Sequence, residues 1–245
     1  MSGSLLFLRL LVFNGREKGT PMCGRFTLES TISFYQRFDI ANRIEDLVPR
    51  YNIAPGQDVP VVLGHSPNHL MYMRWGLIPH WAKDPNVGYK MINARAETLT
   101  ERPAYRGLLG TKRCIVPASG FYEWQVTGGK GKQPYYIHAV AGEYLPFAGL
   151  YDRWVSPEGE EVYSFTIITT QPTVNLHAIH NRMPAILEPA AEQVWLDPDI
   201  ADAQELTSLL HPYTIQPLDF YPVSKAVNRA GFDAPQLIQK TDAGA

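Results

Sequence analysis

The apolar residues of this chain fall in short runs of five to eight positions, rich in β-branched and aromatic side chains and closed off by turn-forming residues. Runs of this kind at 59–63, 70–77, 113–117, 135–140, 146–151 and 162–169 predict six strands. Helical periodicity is rarer. Residues 33–38, preceded by the capping side chains of Glu29-Ser30-Thr31, predict a short amphipathic helix. Residues 189–196, opening on Pro189 near the first helical position, and residues 201–210 predict two more. The run Thr127-Gly128-Gly129-Lys130-Gly131-Lys132 reads as a flexible turn, and the segment after Arg229 as a peripheral or mobile tail. Strands interleaved with irregular loops favour an α+β fold over a doubly wound sheet.

Composition narrows the class. A chain of 245 residues suits one substantial domain, burying about three quarters of its unfolded surface. Apolar content of 45% with 19% charged residues excludes a disordered chain. Two cysteines, Cys23 and Cys114, exclude a disulfide framework and an all-cysteine zinc site, and point to a reduced cytoplasmic setting. The apolar stretch 5–13 is interrupted by Arg9 and falls well short of the roughly 20 residues of a membrane span. As a secretory signal it lacks a basic leading region and a small-x-small cleavage site.

The net charge of −2 conceals an asymmetry. Between residues 70 and 114, Arg74, Lys83, Lys90, Arg95, Arg102, Arg106, Lys112 and Arg113 are opposed only by Asp84, Glu97 and Glu101. Between 183 and 220 there are seven acidic residues and no Lys or Arg. Such a distribution can build a basic face on a mildly acidic protein, and phosphates respond to the local field. Solvated charge on unrelated loops is an equally good account of composition alone.

Four segments concentrate reactive side chains. Met22-Cys23-Gly24-Arg25-Phe26 places a cysteine directly after a methionine. Glu17-Lys18-Gly19 requires purine-rich codons shortly before Met22, where a bacterial ribosome-binding sequence lies, so translation is expected to begin at Met22. Removal of that methionine makes Cys23 the terminal residue, with a free amine and a thiol on adjacent carbons. In Asn93-Ala94-Arg95-Ala96-Glu97 an amide, a guanidinium and a carboxylate alternate; if extended, the segment turns all three to one face. The run from Cys114 to Trp124 reads as a strand ending in a Gly-containing turn at Gly120, presenting Glu123 beside apolar rings that raise a carboxyl pKa. His180-Asn181-Arg182 adds an imidazole and a guanidinium. Taken singly, each has an ordinary alternative: a lone cysteine is usually buried and inert, the role given to Cys114. Trp75, Trp81 and Trp124 more often pack a core than stack on bases. His177 and His180 lack the partners a metal needs, so no metal and no cofactor are expected.

Taken together, Met22-Cys23-Gly24-Arg25-Phe26, Tyr51-Asn52-Ile53-Ala54-Pro55, Arg74-Trp75-Gly76-Leu77-Ile78-Pro79, Asn93-Ala94-Arg95-Ala96-Glu97, Arg113-Cys114-Ile115-Val116-Pro117, Gly120-Phe121-Tyr122-Glu123-Trp124 and His180-Asn181-Arg182-Met183-Pro184 resemble the SRAP (SOS response-associated peptidase) family, in order and over nearly the whole chain after Met22. The resemblance implies a single domain over 22–228, built on a mixed, largely antiparallel, barrel-like sheet with peripheral helices, between an extension at 1–21 and a tail at 229–245. It implies a monomeric, cytoplasmic, nucleoid-associated protein that crosslinks covalently to abasic sites in single-stranded DNA through a thiazolidine on Cys23, with no membrane partner. By the same resemblance Cys23 is the nucleophile, Asn93 holds the reacting groups, and Glu123 and His180 are catalytic. Arg25, Arg95 and Arg182 meet DNA, and Trp75 and Trp124 pack against it. The competing expectation is a cysteine peptidase using Cys23 and His180, including self-removal of the residues before Cys23.

Overall fold

The computed structural model describes residues 23–29, 32–45, 47–128, 131–141 and 144–242. The expected extension at 1–21, the cap residues Ser30 and Thr31, and the middle of the turn at 127–132 lie outside the described residues. In chain order the elements are β1 (Phe26–Leu28), α1 (Ile32–Arg37), β2 (Arg50–Ile53), β3 (Asp58–Leu63), β4 (His69–Trp75), β5 (Asn93–Arg95), α2 (Pro103–Arg106) and β6 (Arg113–Ala118). They continue with β7 (Gly120–Val126), β8 (Lys132–Ala139), β9 (Leu145–Val155), β10 (Glu161–Thr170), β11 (Met183–Pro184), α3 (Pro189–Leu196), α4 (Ala203–Ser208) and β12 (Leu218–Pro222).

Strands β10, β4, β3, β6 and β9 pair in that order, and β9 pairs back with β10, so five strands close into a barrel. Most of its pairings are antiparallel; β10 runs parallel to β4 and, further along, to β5. The other sheet has the order β12-β8-β7-β1-β2 and lies against the barrel through aromatic rings. Phe26 meets Trp75 at 5.1 Å and Phe147 at 6.1 Å between ring centroids, and Phe121 meets Phe147 at 5.8 Å. All six residues of β6 are buried, because the barrel interior covers one face and α3 the other. The other face of the second sheet carries a smaller core of Tyr122, Tyr136, Val223, Val227 and Leu237. The alternation of β7 therefore sends Phe121 and Glu123 to the seam with the barrel, and Tyr122 and Trp124 away from it.

The α+β class and the largely antiparallel barrel agree with expectation. The helix at 189–196 forms with those bounds, and that at 201–210 is shorter. One expectation needs correction. Gly120 does not end a strand in a turn; it starts the seven-residue β7. A methyl group there would lie 2.5 Å from the Tyr136 ring and 2.7 Å from the Ile137 carbonyl oxygen, so glycine is required by close approach of β8. Gly120→Ala should destabilise the fold by about 1–3 kcal/mol, read as a lowered midpoint of thermal unfolding. The segment after Arg229 is peripheral, as one of the two expected alternatives has it, but it is anchored and no mobile tail. The Asn52 side-chain amide donates to the carbonyls of Val227, Arg229 and Phe232, Asp233 pairs with Arg50, and Leu237 is buried.

Candidate active site

Three of the four expected catalytic residues meet at the seam between the two sheets. The backbone N–H of Cys23 donates to Oε1 of Glu123 at 2.8 Å, across a separation of 100 residues. Cys23 is fully buried and Glu123 is 2% exposed. Nδ1 of His180 stands 4.0 Å from the same Oε1. His180 is carried by the connection between β10 and β11, where its N–H donates to the Leu176 carbonyl at 3.0 Å. β1 and β7 pair at Phe26 and Phe121, which brings Cys23 alongside Glu123.

Burial decides the protonation states. It pushes the Glu123 carboxyl up to about 8, although N–H donors from Cys23 and Trp124 pull the other way, so this carboxyl is chiefly protonated at neutral pH. Burial, reinforced by the nearby Glu123, raises the Cys23 thiol well above its ordinary value. Burial lowers the His180 imidazole, which is therefore neutral at pH 7. Nδ1 of His180 lies 3.2 Å from the Arg182 backbone N–H and 3.3 Å from the Arg182 carbonyl, so either tautomer of the ring finds a partner there. The site thus holds a proton donor beside the Cys23 nitrogen and a neutral imidazole beside that donor.

Asn93 lines a cleft of about 400 Å³. It opens β5 opposite Ile167 of β10 and shares the cleft with Arg95, Arg102, Tyr105, Met91 and Trp81. The segment does not stay extended to Glu97: a 3-10 turn over 96–98 takes Glu97 out of the strand and onto Arg182. Arg182 links cleft and trio. Its side chain is buried, grips Glu97 with both terminal nitrogens and donates to the Thr169 carbonyl at 2.6 Å. The bonds from Arg182 to its carboxylate hold Glu97 below its ordinary pKa, and a phosphate would have to displace Glu97 to reach Arg182. Arg25 is half-buried over the Gly24 and Asn228 carbonyls, and Trp124 donates from Nε1 to the Asn228 side chain at 2.8 Å, so the two form one wall.

Trp75 is a correction. It is 1% exposed, stacked parallel to Phe165, and its indole N–H donates to the Ile92 carbonyl at 2.9 Å; it packs the core and offers no face to DNA. The exposed indole is Trp81, 57% accessible on the cleft, although tryptophans more often pack a core. Arg113 is likewise no part of a basic face: it is buried and donates to the carbonyls of Leu109, Trp195 and Asp197, closing the end of α3.

Together these features define a protein in which a cysteine, a carboxyl and an imidazole are enclosed where a small sheet meets a barrel, beside an arginine-lined cleft. The model of the SOS response associated peptidase (SRAP) family matches residues 22–230, and the chain belongs to that family. It is 46% identical over 222 residues to the abasic site processing protein YoqW of Bacillus subtilis, covering 89% of this chain and 99% of that one. With the abasic site processing protein HMCES of Gallus gallus the identity is 37% over 229 residues, covering 80% of this chain and 67% of the other. A crystal structure of a Bacteroides thetaiotaomicron protein superposes with a TM-score of 0.80 at 30% identity, covering 89% of this chain and all of that one.

Proposed function

We propose that this protein processes abasic sites in single-stranded DNA by capturing them covalently, as a thiazolidine on Cys23, once residue 22 no longer precedes it. The observation that carries the reading is the 2.8 Å approach of the Cys23 nitrogen to a carboxyl that burial keeps protonated. The names of its relatives, which process abasic sites, support it.

An abasic sugar in its open form presents an aldehyde at C1′. The Cys23 amine adds to that carbon, and its surplus proton passes to the oxygen. Glu123 protonates the resulting hydroxyl, which departs as water and leaves a protonated imine (an iminium). The Cys23 thiol, kept as S–H by burial, needs a base to become a nucleophile, and the Glu123 carboxylate just formed takes its proton as sulfur adds to C1′. One N–C and one S–C bond form, the C=O bond is lost as water, and Glu123 ends protonated as it began. His180, 4.0 Å from Glu123, is suited to protonate the sugar ring oxygen as the ring opens. Arg95 and Arg102 supply positive charge to phosphates without reading sequence, so binding weakens with salt. Trp81 offers a stacking face; Trp81→Ala should weaken binding to an abasic oligonucleotide by roughly 5- to 150-fold, read by fluorescence anisotropy.

The test is direct. Protein beginning at Cys23, mixed with single-stranded DNA bearing one abasic site, should give a heat-stable crosslink. The same protein with its terminal amine acetylated should give none. Crosslinking by the acetylated form would defeat the reading.

Self-removal of the preceding residues is favoured by one observation. Cys23 has φ +40°, a conformation in which the Cβ of an ordinary residue crowds the backbone, on the order of 1–3 kcal/mol of strain. Breaking the bond to residue 22 releases it, and the nitrogen released is the one Glu123 faces. A mutant with Glu123→Gln that retains residues 1–22, while the unaltered protein loses them, would support this route.

A further inference from the structure

The loop that leaves β4 carries Trp81, and three buried polar side chains fix it at alternate residues. The Ile78 N–H donates to Ser164 Oγ at 2.7 Å. The His80 N–H donates to Asp152 Oδ2 at 2.8 Å, and His80 Nδ1 lies 2.9 Å from the same oxygen. The Ala82 carbonyl accepts from Trp154 Nε1 at 2.7 Å. The three holders share one face of the β9–β10 hairpin: Asp152 stands directly opposite Ser164, and Trp154 lies two residues along the strand. All three are buried, with Asp152 1% and Ser164 0% exposed. Asp152 also accepts from Lys112 Nζ and the Arg153 N–H, so its carboxylate is the hub of the arrangement.

The consequence falls on Trp81. Its neighbours on both sides are pinned from below, while its own ring remains 57% exposed. It stands between the cleft that holds Asn93 and Arg95 and a smaller hollow of 110 Å³ lined by His80, Lys112 and Asp152. A stacking surface fixed in advance loses little conformational freedom on binding, whereas one on a loose loop must be ordered first. We propose that Asp152 is a positioning residue which, with Trp154 and Ser164, holds Trp81 as a preformed platform for the nucleobase next to the abasic site. The proposal rests on the DNA-binding reading above and adds to it the device that makes the platform rigid.

The test is a double-mutant cycle on binding, free of covalent chemistry. The probe is a single-stranded oligonucleotide carrying a tetrahydrofuran abasic analogue, which has no aldehyde. Affinity is measured for the unaltered protein, Asp152→Ala, Trp81→Ala and the double variant, with Trp154→Phe as a gentler change that removes one anchor and keeps the ring. The motion of the Trp81 ring is followed by fluorine NMR relaxation in protein labelled with fluorotryptophan, the Trp81 signal being assigned by its loss in Trp81→Phe, with and without Asp152→Ala.

Asp152→Ala should weaken binding about 5- to 20-fold and add less than about twofold once Trp81 is gone. It should also speed the local motion of the Trp81 indole, and leave the crosslinking rate at saturating abasic DNA within about twofold. Trp154→Phe should show the same pattern at smaller amplitude, and it decides the matter should Asp152→Ala not fold. An equal loss from Asp152→Ala whether Trp81 is present or replaced by alanine would overturn the proposal, as would unchanged indole motion. If the unaltered protein does not bind the probe at all, the DNA-binding reading itself fails; if it binds but the cycle shows no coupling, only the platform does.

Discussion

Glu123→Gln should slow crosslinking to abasic DNA by about 10²- to 10⁴-fold while making the protein more resistant to heat above neutral pH. Glutamine matches the shape of the carboxylic acid, and its amide oxygen can still accept the Cys23 N–H, so the geometry at the seam is kept. It can neither release a proton to the departing water nor accept one from the thiol. The stability effect follows from the same burial. The folded carboxyl titrates at about 8, against about 4.3 in the unfolded chain, so between those values the folded state holds the extra proton. Stability contributed by this group is complete below about pH 4 and is lost as pH rises through about 8. Ionised Glu123 in the buried site then costs on the order of several kcal/mol, a cost that glutamine never meets. Thermal unfolding from pH 5 to pH 9 reads this as a gap in melting temperature, favouring the variant, that widens with pH. A gap independent of pH would mean that Glu123 is ionised in the folded protein and cannot serve as the proton donor.

Cys23→Ser should separate the two bonds to C1′. The terminal amine remains, so the imine still forms and can be trapped by borohydride reduction. Serine's hydroxyl is a far weaker nucleophile toward the imine carbon, so the heat-stable adduct should vanish. An imine left open also labilises the adjacent C2′ proton, so strand scission at the abasic site should rise above that seen with the unaltered protein. Gel electrophoresis with and without borohydride distinguishes these products. A heat-stable adduct of undiminished yield from Cys23→Ser would place the second bond elsewhere. Cys114 is no substitute, because it is an internal residue of β6 inside the barrel, with no free amine on the adjacent carbon to close the ring.

How much of this was legible in the sequence depended on the kind of signal. The strands of the barrel announced themselves because their side chains are apolar or β-branched and their ends are marked by turn residues. β7 was hidden by Gly120, whose role in close packing against Tyr136 looks the same in sequence as a role in a turn. The anchoring of the tail is not legible in sequence, because it depends on Asn52, a polar residue in a distant strand whose amide reaches three backbone carbonyls. The two tryptophans show the limit most plainly. Trp75 ends β4 at a position where alternation with Arg74 turns it inward, whereas Trp81 sits in a loop with no period to orient it. Its exposure is set by Asp152, Trp154 and Ser164, whose bonds to the loop span 72 to 86 residues of chain. The trio of Cys23, Glu123 and His180 is visible in the sequence only as residue types in family-like motifs. The 2.8 Å contact of Cys23 with Glu123 and the burial that keeps the carboxyl protonated belong to the fold.

The mass of the crosslinked species tests the central claim most directly. Protein from its native host, reacted with an abasic oligonucleotide and digested, should yield a DNA-bearing peptide that begins at Cys23. Its mass should equal peptide plus DNA minus one water, with both the terminal nitrogen and the sulfur blocked to further labelling. An adduct on a lysine, or one on a peptide still carrying residue 22, would contradict the account.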